Sequence, residues 1–64
     1  MSSREVIRLL EDHGWRLKDV NGSHHQFYKP GRPGKVTVAH PRKDIPIGTL
    51  KKIEQQSGVA LVRR

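Results

Sequence analysis

The sequence contains no cysteine, so neither a disulfide framework nor a thiolate zinc site can support its fold. Aromatic residues are nearly as scarce, with one Trp, one Tyr and one Phe. Only 33% of the residues are hydrophobic, and no run approaches the roughly 18 apolar residues of a membrane span. The N-terminus lacks the apolar stretch of a signal peptide. At 64 residues there is room for one domain, which buries only about 60% of its unfolded surface. These absences lead us to expect a small soluble cytoplasmic domain without a membrane partner.

Acidic residues are also few. Six Asp and Glu stand against thirteen Lys and Arg, a formal charge of +7. The excess is uneven: residues 1–32 carry six basic and four acidic groups, whereas residues 33–64 carry seven and two. Such a field attracts nucleic acid, an anionic membrane or an acidic protein. The basic residues come in pairs (Arg42-Lys43, Lys51-Lys52, Arg63-Arg64) rather than along one amphipathic helix. That pattern favours nucleic acid over a membrane surface.

Along the chain, Ser2-Ser3-Arg4-Glu5 has the form of a capping box. Val6, Ile7, Leu9 and Leu10 follow at helical spacing, and Gly14 suits a left-handed C-cap, so a helix is predicted over 3–13. Residues 15–20 begin as an apolar–polar alternation and predict a strand. Asn21-Gly22 is the preferred pair for a two-residue type I′ turn, which makes His24 to Lys29 the returning strand. Pro30 to Gly34 reads as a longer loop, and Lys35 to His40 as a third strand rich in β-branched residues. After a basic connector, Pro46 opens a second helix with Ile47, Leu50 and Ile53 as its apolar stripe and Gly58 at its end. Residues 59–62 are expected to fold back over the core or add a short strand. The order is α-β-β-β-α, an α+β fold with a three-stranded antiparallel sheet and both helices on one face.

Strand parity separates the adjacent histidines. His25 shares a face with Phe27, the expected core residue, whereas His24 shares the open face with Gln26 and Tyr28. Histidine exchanges protons near neutral pH, so an exposed His24 beside a tight turn in a basic chain is a candidate acid–base group. His25 and His40 fit structural hydrogen bonding better, and Trp15 fits core packing. A zinc site drawn from His13, His24, His25 and His40 is disfavoured, because neighbouring strand residues diverge and no ligand spacing repeats. No metal or other cofactor is expected.

The helix ending at Gly14-Trp15, the Gly22-Ser23-His24-His25 segment with Phe27, the Val36-Thr37-Val38 strand and the stretch from Lys43 to Leu50 together resemble the HicA family of toxin components. The likeness covers nearly the whole chain. It implies a double-stranded-RNA-binding-domain-like fold and a metal-independent mRNA interferase. It further implies that His24, following Gly-Ser, is the catalytic histidine, and that a HicB-type antitoxin partner occludes the site in a hetero-oligomer. Gly22, Ser23, Lys35, Arg42, Lys43, Lys51 and Lys52 are then the candidate RNA contacts. The alternative is a non-catalytic double-stranded-RNA-binding module. A DNA-binding regulator lacks support, since three strands separate the helices where a helix-turn-helix would need them adjacent.

Overall fold

The computed structural model describes residues 1–62; the Arg63-Arg64 pair lies outside the described residues. The elements are α1 (Ser3–Asp12), β1 (Arg16–Asn21), β2 (His24–Lys29), β3 (Arg32–Ala39) and α2 (Ile47–Ser57). The strands form an antiparallel sheet in the order β1-β2-β3. The core joins Val6 and Leu10 of α1, Trp15 just before β1, Phe27, Val36 and Val38 of the sheet, Ile45, Leu50 and Ile53, and Val59 and Leu61. Both helices therefore cover the Phe27 face, as expected. Gathering these side chains away from water is the main stabilising force in so small a chain.

The first helix starts where its capping box requires. Ser2 Oγ accepts the Glu5 N–H at 3.2 Å, and the Glu5 carboxylate accepts the Ser2 N–H at 3.1 Å. These bonds draw the Glu5 pKa below its ordinary value of 4.5, with the Ser2 backbone N–H the largest cause.

Four features differ from the sequence reading. The first hairpin loop is Gly22-Ser23, flanked by the Asn21–His24 pair, one residue later than the Asn21-Gly22 reading. Gly22 has φ +62°, and among the described residues no non-glycine residue has a positive φ. A type I′ turn needs positive φ at both centres, whereas type II′ needs it only at the first, which is where Gly22 stands. The second connection is also shorter: β3 begins at Arg32, and Lys29 pairs with it across Pro30-Gly31. Pro33 is accommodated because β3 is an edge strand, and Gly34, at φ +90°, takes up the irregularity in its pairing with β2.

A bulge between Leu17 and Asp19 resets the alternation of β1. Leu17 and Val20 consequently share a face although they are three residues apart, and both stay about half exposed, at 49% and 47%. The fourth difference is Ile47, which is 61% exposed at the start of α2. Helical side chains lean towards the N-terminus, so this first-turn residue overhangs the core and Ile45 is buried in its place.

After Gly58, the chain packs against the core without forming a strand. Val59 and Leu61 are buried, and one Glu54 oxygen accepts the Leu61 and Val62 N–H groups at 2.6 and 2.7 Å. None of the helices among the described residues is long and apolar enough to cross a membrane.

Candidate functional site

The site begins at the Gly22-Ser23 turn. Its φ of +62° favours glycine at position 22, and nothing lies within 4 Å of where a Cβ would stand. The turn is tight, and space beside it is open. His24, the first residue of β2, is exposed and lies opposite Asn21 on one side and Ala39 on the other.

The turn is held from beneath. The Ser23 carbonyl accepts the His40 backbone N–H at 2.8 Å and lies 3.3 Å from His25 Nδ1. The His25 and His40 rings meet edge-on at 5.0 Å and 90°. His40 Nδ1 sits 2.6 Å from Ser3 Oγ, and that hydroxyl also accepts the Arg42 N–H at 2.8 Å. Ser3 is 1% exposed, so a buried hydroxyl ties the start of α1 to the residues that brace the turn.

This arrangement sorts the histidines more firmly than parity did. His13 Nδ1 contacts the Leu9 carbonyl at 2.8 Å, while His25 and His40 are engaged as described. His24 is the one histidine whose ring makes no hydrogen bond among the described residues. It is also the one at the tip of a braced turn.

The candidate contacts fall into four places. Gly22 and Ser23 form the turn with His24. Lys35 shares the open face by parity with Thr37, and both are exposed. Arg42 and Lys43 occupy the connector that follows His40 and are also exposed. Lys51 and Lys52 stand on α2, in the layer across the sheet from the His24 face, so the fold does not bring them to the turn. Sequence reasoning missed Ser3, whose link to His40 spans 37 positions and leaves no local signature. Among the described residues, no three His, Asp or Glu side chains converge as a metal site would require.

Neither Tyr28, which shares the open face with His24, nor Arg32, the basic residue of the Pro30 to Gly34 segment, is placed to act beside it. Tyr28 is four residues along the same strand, about 13 Å away at roughly 3.3 Å per residue. That is too far for the two side chains to act on one reacting group. A basic residue from the Pro-Gly connection is at the other end of the hairpin. Its Arg32 guanidinium lies over the Trp15 ring at 5.7 Å and reaches the Gln56 carbonyl at 3.4 Å.

Comparison with known proteins agrees with this architecture. Residues 3–59 match the family model described as the HicA toxin of bacterial toxin-antitoxin systems. A solved structure, "HicA3 and HicB3 toxin-antitoxin complex", is similar at 36% identity and TM-score 0.78, over 97% of this chain and 100% of that one. No curated protein sequence gives a significant match. The fold and the match over most of its length make this chain a toxin component of a toxin-antitoxin system. It belongs to the HicA toxin family.

Proposed function

We propose that the chain is an mRNA-cleaving endoribonuclease whose proton-transfer group is His24, held in check by a HicB-type antitoxin. The observation that carries this reading is the single uncommitted histidine on a braced turn, with open space beside Gly22, in a chain of formal charge +7.

RNA supplies its own nucleophile. The 2′-oxygen attacks the adjacent phosphorus, the bond to the 5′-oxygen breaks, and the products are a 2′,3′-cyclic phosphate and a 5′-hydroxyl. His24 either takes the 2′-hydroxyl proton or gives one to the departing oxygen. Such help is worth about 10²–10⁴-fold. Gly22 and Ser23 let the phosphate approach, and Arg42 and Lys43 stabilise the charge that builds on it, while Lys35, four residues along β3 from the partner of His24, adds a backbone contact further along the strand. Lys51 and Lys52, on the far layer, contribute to the attractive field and to longer backbone contacts. Cutting mRNA stops translation and places the toxin in the cytoplasm. An antitoxin that covers His24 restores it, and the similar structure being a toxin-antitoxin complex supports such a partner.

The test is incubation of purified protein with single-stranded RNA in excess EDTA, with analysis of the product ends. Cyclic phosphate ends are expected. Products bearing 5′-phosphate, or cleavage abolished by EDTA, would replace this route with a metal-activated water. Binding of duplex RNA without cleavage would favour the non-catalytic module.

A further inference from the structure

A surface cleft of about 540 Å³ opens next to the turn, between the N-terminus of α1 and the β3–α2 connector. We propose that it is a subsite for a nucleotide flanking the scissile phosphodiester, with the base against His40 and Pro41 and its phosphate against Arg4, Arg42 and Lys43. This rests on the reading of His24 as a group acting on RNA, and it adds Arg4 and His40 to the residues that hold the substrate.

Position is the first reason. His40 lines the cleft and directly follows Ala39, the strand partner of His24. Its backbone N–H holds the Ser23 carbonyl at 2.8 Å, so the lip of the cleft and the turn are one rigid piece. The His40 ring lies on the packed side and His24 on the open side, so an RNA strand with a phosphate at His24 reaches the cleft by passing round the end of the sheet beside Ala39, which separates them by one residue of β3.

Construction is the second. Ser3 Oγ fixes the His40 ring at Nδ1, and His25 meets that ring edge-on. A half-buried ring with its orientation set in this way is a ready stacking platform, and RNA-binding proteins stack unpaired bases on His as well as on larger aromatics. Pro41 and the side-chain stems make the walls mainly apolar, which suits a base better than a bare phosphate.

Charge is the third. Arg4, Arg42 and Lys43 rim the cleft and are all exposed. Of the nearby acids, Asp44 is paired with the N-terminal ammonium at 2.9 Å, and Glu5, charged in the capping box, offsets one of the three cations. The rim is thus left with net positive charge for a phosphate, whose contacts are strengthened by that charge.

The experiment compares a dinucleotide, which spans only the scissile bond, with an oligonucleotide long enough to enter the cleft. Arg4→Ala is expected to raise KM for the oligonucleotide more than for the dinucleotide. It should also lower the salt slope of oligonucleotide binding, measured in a His24→Ala background, by about one. Arg8→Ala removes the same charge one turn further along α1, outside the cleft, and should change the slope less. His40→Ala and His40→Phe both lose the Ser3 bond, so a lower oligonucleotide KM in the Phe variant reports the ring face itself.

Equal KM changes on both substrates, or equal impairment by Ala and Phe, overturn the subsite while leaving RNA cleavage intact. The subsite is equally overturned if Arg4→Ala weakens antitoxin binding and leaves RNA binding unchanged. A wild-type protein that neither cuts nor binds either RNA removes the ribonuclease reading itself, and the subsite with it.

Discussion

The two faces of the sheet are built from alternate residues of the same strands, yet they are shaped by different demands. On one, Phe27, Val36 and Val38 are at most 1% exposed beneath both helices, and His25 is packed against His40 at the margin. On the other, His24, Tyr28, Lys35 and Thr37 are exposed and uncovered. One step along β2 moves a histidine from bracing the structure to facing solvent. Stability and chemistry are therefore separable by mutation along a single strand, with the Ser3–His40 bond as the place where they meet.

The largest effect expected is on the packed face. Phe27→Ala should cost about 3–5 kcal/mol. A chain of this length has roughly 3–10 kcal/mol in all. Urea denaturation should show a protein that is largely unfolded, and an unchanged midpoint would break the assignment of faces.

Ser3→Ala should come next. It leaves the Arg42 N–H and His40 Nδ1 without their partner, a loss of about 1–3 kcal/mol. Because His40 braces the turn, RNA cleavage should also slow, although by less than when His24 itself is removed. A stability loss with fully retained cleavage would show that the brace does not reach His24.

The smallest effect belongs to the capping box at the start of α1. The pKa of Glu5 is lower in the folded state than in the unfolded chain. Its contribution is therefore complete above the unfolded pKa and is lost as pH falls through the folded one. Thermal unfolding of Glu5→Gln against the parent should differ near neutral pH, and the gap should close in acid. A gap that persists in acid would mean that the carboxylate's charge is not what stabilises the helix.

What the sequence made legible follows from the range of the interactions. The α1 cap is written in four consecutive residues, and His24 could be assigned to the open face because alternation around Phe27 is local. The start of β3 was hidden because Pro30 to Gly34 has loop chemistry, and only the strand's place at the sheet edge makes Pro33 acceptable. The phase of β1 beyond Lys18 was hidden by the bulge. The type of the first turn was misread because Asn-Gly and Gly-Ser overlap in one short segment, and strand pairing chooses between them. The brace beneath the site could not be read at all, since Ser3, Ser23 and His40 come together only when α1 closes on the sheet. The same closure separates Lys51 and Lys52 from the turn.

The central claim is that His24 contributes chemistry and not structure. Cleavage of single-stranded RNA by His24→Ala, set beside its thermal unfolding, tests this most directly. The account predicts an unchanged unfolding midpoint and a rate lower by about 10²–10⁴-fold. A folded variant that cuts RNA as fast as the parent would contradict it.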